Sequence, residues 1–126
     1  MQLRFHQLHF DLARELSPLR KKGVLIIGSG NIVHNLRMLD WNSQGGFDWA
    51  MEANEKMKAY IRDGDHQKLI DFKSQGKAFD LSVPTPEHFL PLLYILALKE
   101  KNEKLNIFND KAVAGSLTMT SVRIGN

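Results

Sequence analysis

Gly23-Val24-Leu25-Ile26-Ile27-Gly28-Ser29-Gly30-Asn31-Ile32-Val33-His34-Asn35-Leu36 decides the fold class of this chain. Val24 to Ile27 is short, wholly apolar and partly β-branched. That pattern predicts a strand buried on both faces, as in a parallel sheet flanked by helices. Gly28-Ser29-Gly30 then turns the backbone sharply at the carboxyl end of the strand. Ligands of open α/β sheets bind at that end, so Ser29 and Asn31 are candidates for lining a substrate pocket. His34 follows the turn and admits two readings: a buried histidine hydrogen-bonded to backbone, or a general acid/base that titrates near neutrality.

Helical patterns flank this stretch. Phe5, Leu8, Leu12, Leu16 and Leu19 recur at three- and four-residue steps, which predicts an amino-terminal helix with that apolar face. Pro18 should loosen its last turn and Gly23 should stop it. A polar, glycine-containing loop over 41–47 precedes a helix predicted from an Asp48 N-cap to about Arg62, with Trp49, Ala53, Met57, Tyr60 and Ile61 inward. A shorter helix is expected over 66–74, with Gly76 as its left-handed terminator and a brief strand over 81–83. Thr85-Pro86 predicts a helix start, running to about Lys101 despite Pro91. Strands are predicted over 105–108 and 117–124. The alternation predicts α/β: a mixed, largely parallel sheet flanked by helices, in a single domain over 1–126.

Bulk composition narrows the function classes. A chain of 126 residues with 43% hydrophobic content can bury a core. Its 17 basic and 14 acidic residues leave a formal charge of +3, too mild and too scattered to imply nucleic acid. Arg20-Lys21-Lys22 is the one basic run, read as closing a helix whose negative end it suits. Without cysteines there are no disulfides, thiolate metal sites or cysteine nucleophiles. No apolar run approaches the ~20 residues of a membrane span. Residues 1–6 lack a signal-peptide apolar region, so the expected location is cytoplasmic.

The second informative stretch is Pro84-Thr85-Pro86-Glu87-His88-Phe89-Leu90-Pro91. A histidine in the first turn of a capped helix meets the positive end of the dipole, which favours neutral imidazole. A metal needs that form. The alternative is a capping or surface histidine. His6 and His9 sit at helical spacing and could make a two-ligand site by chance, although a structural hydrogen bond suits His9 better. His66 lies beside a polar turn. Gly28-Ser29-Gly30 does not complete a dinucleotide fingerprint, because Val33 occupies the third-glycine position. No P-loop lysine follows, and Ser29 is not in a G-x-S-x-G elbow. Trp41, Trp49 and Phe89 could wall an aromatic pocket or simply pack helices.

Four stretches together carry a resemblance: His9-Phe10-Asp11-Leu12 with Leu19-Arg20; Gly23 to Leu36; Pro84 to Leu92; and Gly115-Ser116-Leu117-Thr118-Met119-Thr120-Ser121. In that order they resemble the carboxyl-terminal half of a class III extradiol ring-cleavage dioxygenase of the 4,5-DOPA extradiol dioxygenase-like group. The resemblance implies a non-haem metal, iron(II) in catalysis and zinc in some preparations, and a catechol cleaved with dioxygen. Carried over by position, His88 matches a metal ligand and His34 the acid/base. His9 matches a recurrent position without an assigned role. The resemblance also implies that two further metal-binding histidines belong to an amino-terminal half absent here, so this chain is the incomplete half of a larger three-layer domain. Little activity is then expected of the chain alone, and exposed apolar surface should favour a homo-oligomer or a complementary amino-terminal half. The competing reading is a non-catalytic oligomerisation or binding module with the family's turns.

Overall fold

A computed structural model describes residues 2–126; the expectation about a leader falls partly on residue 1, which lies outside the described residues. Among the described residues six α-helices occur: α1 (Gln2–Arg14), α2 (Ser17–Lys21), α3 (Asp48–Asp63), α4 (His66–Ile70), α5 (Lys77–Ser82) and α6 (Leu90–Ala97). Four short strands follow: β1 (Leu105–Phe108), β2 (Ala112–Val113), β3 (Leu117–Thr118) and β4 (Ser121–Ile124). Mixed helix and strand is therefore observed, but the expected largely parallel sheet is not formed by these residues. β1 pairs antiparallel with β4, with Leu105 opposite Ile124, and β2 pairs antiparallel with β3. Val24 to Ile27 is extended, as expected, yet pairs with nothing among the described residues. A sheet needs hydrogen-bonded neighbours, and no described segment presents a backbone edge to this one.

The core gathers Phe72, Phe79 and Phe89 with Met57, Ile61, Leu69, Ile70, Leu93 and Leu96, all essentially inaccessible. Burying each such side chain contributes about 1.5–3 kcal/mol relative to exposure. α3 follows expectation closely: Ala53, Met57 and Ile61 face inward, while Trp49 and Tyr60 are half-buried. Its cap differs, since Phe47 is the N-cap and Asp48 is the first helical residue.

Several boundaries depart from expectation for identifiable reasons. The amino-terminal helix breaks after Arg14 and restarts at Ser17, placing Pro18 in a first turn where its missing N–H costs nothing. Its apolar stripe faces outward: Phe5, Leu8 and Leu12 are about half exposed, and His6, Phe10 and Ala13 are buried instead. Hydrophobic periodicity locates a stripe but cannot say which neighbour covers it. Gly76 does not terminate a helix; it precedes α5, which takes the place of the strand expected over 81–83. The helix expected from Thr85 begins at Leu90, putting Pro91 in its first turn, while Pro86 to Phe89 forms a separate turn. The strand expected over 117–124 is divided between two antiparallel ribbons. No helix among the described residues is long and apolar enough to cross a membrane.

Candidate functional site

The two histidine stretches are packed against each other through backbone. The Asn31 amide donates to the His88 carbonyl at 2.9 Å, and the His34 amide donates to the Ser82 carbonyl at 2.8 Å. On the other side, Thr118 donates to the Val33 carbonyl at 3.1 Å and Asn35 to the Ser116 carbonyl at 3.0 Å. The segment bearing His34 is thus threaded between the 82–89 region and the 116–118 strand. His34 itself makes an antiparallel bridge with Leu117. Glycine at 28 and 30 is what permits the approach. A Cβ at Gly28 would stand 2.9 Å from the Pro91 oxygen, and one at Gly30 would stand 2.1 Å from the His88 oxygen.

His34 is buried at 4% exposure, with both ring nitrogens facing carbonyls. Nδ1 lies 2.9 Å from the Asn31 oxygen and Nε2 lies 3.1 Å from the Thr85 oxygen. A neutral imidazole donates through only one nitrogen, whereas an imidazolium donates through both. Burial outweighs this support and lowers the His34 pKa from its ordinary value; the two carbonyls oppose the shift, and the nearby His88 adds to it. The two open readings of His34 are therefore compatible here: it is a buried, backbone-bonded histidine that is also perturbed.

His88 lies beside it, ring centroids 5.0 Å apart and planes inclined at 54°. Unlike His34 it is exposed, and its ring makes no hydrogen bond among the described residues. It sits in the turn before α6, not in that helix's first turn, so the expected dipole effect does not apply to it as framed. Glu87 next to it is lowered in pKa, chiefly by a hydrogen bond from Thr85.

The remaining candidates scatter. Asn31 and His88 line a cavity of about 250 Å³ with Gly28, Gly30 and Pro91. Asn31 spends its amide on the Thr118 carbonyl at 2.8 Å, so one of its donors is already engaged. Ser29 is exposed and outside that cavity. Phe89 is in the core, Trp41 is 76% exposed, and Trp49 packs against Phe47, so they form no shared aromatic wall. His6 Nδ1 meets the Ile70 oxygen at 3.1 Å, and its ring stacks on Phe72. His9 Nδ1 meets the Tyr94 hydroxyl at 2.8 Å, the structural bond expected of it, while its Nε2 is buried without a partner. His66 packs against Phe10, and burial lowers its pKa. Sequence reasoning did not find Thr85 and Ser82, whose carbonyls hold His34. Backbone partners carry no side-chain signal, which is why they were silent.

Among the described residues, no three His, Asp or Glu side chains converge to hold a metal. Catalytic sites commonly use three protein ligands and an open position. The residues present therefore do not by themselves fit the metal that the resemblance implies: His88 is available, and a complete donor set is not.

No protein-family model matches the chain. Over 121 residues, 93% of the chain, it is 38% identical to a 4,5-DOPA dioxygenase extradiol of Escherichia coli (strain K12), spanning 44% of that protein. The Beta vulgaris protein of the same name is 27% identical over 115 residues, 91% of this chain and 43% of the relative. That of Mirabilis jalapa is 32% identical over 101 residues, 80% of this chain and 38% of the relative. A crystal structure of an uncharacterized protein from Escherichia coli K12 superposes with a TM-score of 0.81 at 36% identity, over 93% of this chain and 49% of that one. The chain thus spans about half the length of the proteins it matches.

Proposed function

The chain belongs to the 4,5-DOPA dioxygenase extradiol family as the counterpart of its members' carboxyl-terminal half, and from that premise we propose that it is the proton-handling portion of an enzyme opening a catechol ring with dioxygen. The observation that carries this reading is the pairing of a buried, perturbed His34 with an exposed, unengaged His88 at 5.0 Å. Two like imidazoles in unlike environments suit unlike tasks.

His34 is the group we assign to the catechol proton. Burial favours its neutral form, and accepting a proton from a substrate hydroxyl requires the ring nitrogen that is not donating to turn from its carbonyl toward the pocket. Its Nε2 faces the Thr85 carbonyl, which fixes the ring's orientation. Taking up a proton allows both nitrogens to donate to their carbonyls, offsetting part of the burial cost. His88 is the residue we assign to a metal, iron(II) in catalysis with zinc as an alternative occupant. The other ligands must come from outside the described residues, and no step through the metal is assigned to this chain. The small cavity bounded by Asn31 and His88 is the proposed edge of the pocket for the aromatic ring. The completed protein is proposed to be a three-layer domain with the largely parallel sheet that these residues do not form alone.

Oxygen uptake with DOPA after iron(II) loading tests this. The isolated chain is expected to show little turnover, because its donor set is short. Robust turnover by the chain alone that survives His88→Ala would sink the assignment of His88. A second reading, a non-catalytic oligomerisation or binding module, is favoured by one observation: Leu25 and Ile27 are 81% and 78% exposed. Apolar side chains so displayed mark a contact surface whether or not chemistry accompanies it.

A further inference from the structure

Two phenylalanines in the seat of α1 are each flanked by a histidine and a permanent cation. Phe10 of α1 has the His66 ring 5.2 Å away and the Arg14 guanidinium 4.9 Å away. Phe72, in the short 3-10 turn Phe72–Ser74 after α4, has the His6 ring stacked at 4.7 Å and the Lys73 ammonium at 5.3 Å. The arrangement is reciprocal. α1 lends a histidine to Phe72, and α4 lends one to Phe10. Phe10, Phe72 and His6 are buried, and His66 is half-buried.

We propose that these two clusters form an acid-released clasp, which seats α1 on α4 and α6 while His6 and His66 are neutral and frees it when they take up protons. The chemistry of each cluster favours the neutral ring. Neutral His6 donates its Nδ1–H to the Ile70 carbonyl at 3.1 Å, and its Nε2 makes no hydrogen bond among the described residues. A proton added at Nε2 therefore brings charge without gaining a bond already in place. The face of a phenyl ring attracts a cation. Arg14 and Lys73 already hold those positions, and a second positive charge beside either one meets repulsion. The wider surroundings tip the same way. His6 faces His9 and Lys73 against Asp71, and His66 faces Arg14 and Lys99 against Asp65. Asp65 is committed to Lys68 at 3.2 Å, and Asp71 accepts from the Ser74 hydroxyl at 2.8 Å. From α6, the Tyr94 hydroxyl meets His9 rather than either clasp histidine.

Burial is the largest influence on both rings, and each titrates below its ordinary value. A histidine held below its unfolded pKa of about 6.5 stabilises docking fully above that pH. The contribution falls away as pH drops from there through the lower folded value. Release is therefore an acid-side event that begins below about 6.5. Its structural reach extends past α1. α1 packs on α6, and α6 leads out of the turn that carries His88, so undocking uncovers the helix that follows the proposed site.

Amide exchange along the full chain, corrected for the intrinsic pH dependence of exchange, tests this between about pH 7 and about pH 5. Over that range the amides of α1 should lose protection by about 10-fold or more relative to those of α3, which packs on α5 instead. His6→Gln combined with His66→Gln should flatten the difference. Glutamine at position 6 also changes packing, so a second variant leaves both histidines in place. Arg14→Gln with Lys73→Gln alters two exposed residues, removes the cation beside each ring and should diminish the acid loss in α1. Equal loss in α1 and α3, or no loss in α1 by pH 5, overturns the proposal. So does an acid loss in α1 that persists undiminished in the cation variant, which decides the matter where the histidine variant does not fold. His34 is untouched in both variants, so an effect that survives in both traces to the site and not to the clasp.

Discussion

Gly30 lies against the carbonyl of His88 so closely that a Cβ on Gly30 would stand 2.1 Å from that oxygen. The neighbouring Asn31 amide donates to the same oxygen at 2.9 Å. Two segments almost sixty residues apart are thereby held in register at the point where His34 and His88 meet. The obstacle is backbone, not a flexible side chain, so neither segment can yield without moving the other. Gly30→Ala is expected to cost about 1–3 kcal/mol, the range for forcing extra atoms into a packed site. Gly45→Ala should stay within about 0.5 kcal/mol, since nothing lies within 4 Å of a Cβ there. Urea unfolding of both variants measures the contrast. Equal costs would show that the Gly30 contact is not held in solution.

His34 and His88 should separate in stability as they do in exposure. His34→Ala removes a buried ring and leaves whichever of the Asn31 and Thr85 carbonyls accepts its one N–H without that partner. Each buried group left unsatisfied costs about 1–3 kcal/mol. His88→Ala removes an exposed ring with no recorded hydrogen bond, so its cost should remain within about 0.5 kcal/mol. Thermal unfolding of the two variants reads this directly. A destabilised His88→Ala protein would mean that the ring has a structural partner, which would weaken its assignment as a free ligand.

A sharp backbone turn at Gly28-Ser29-Gly30 was legible in the sequence, but its packing against the turn that carries His88 was not, because that contact runs through backbone. α3 was legible because its apolar spacing and the Gly64 end agree, with Gly64 at φ 69°. The face buried by α1 was not. Phe5, Leu8 and Leu12 make the stronger periodic signal, yet His6, Phe10 and Ala13 meet the described core. The pairing of Val24–Ile27 was not legible either: the apolar run marks an extended segment, but strand pairing is set by backbone neighbours that carry no side-chain signal, and among the described residues it pairs with none.

A polar knot ties α3 to the strand region and should behave as a unit. Asn54 Nδ2 donates to Asp110 Oδ1 at 2.9 Å, and the Thr120 hydroxyl donates to Asn54 Oδ1 at 2.7 Å. Lys58 is ion-paired with both Asp110 and Glu55. Asn54 is 1% exposed and Lys58 5%, so removing a member strands its partners away from water. Asn54→Leu and Thr120→Val should each cost about 1–3 kcal/mol, and the double variant less than their sum, because the second change no longer leaves a group unsatisfied. A double-mutant cycle by chemical unfolding measures the coupling; strict additivity would show that the two side chains act independently.

The last prediction concerns acid. Arg20 Nη1 donates to Glu103 Oε2 at 2.8 Å and to the Leu98 carbonyl at 2.7 Å, and Nη2 pairs with the other carboxylate oxygen. The basic run read as closing a helix therefore also clamps α2 to the chain after α6. Arg20 holds the Glu103 carboxyl down at about 2, well below its ordinary value, with the Glu100 amide assisting. A carboxyl with a depressed folded pKa stabilises fully above its unfolded pKa, about 4.3. That contribution falls away as pH drops from there through about 2. Arg20 remains charged throughout, so the titration belongs to Glu103. The gap in melting temperature between the native chain and Glu103→Gln should be widest near neutrality and narrow between pH 4.3 and 2. A gap that stayed constant across that window would show that the pair contributes through packing rather than charge.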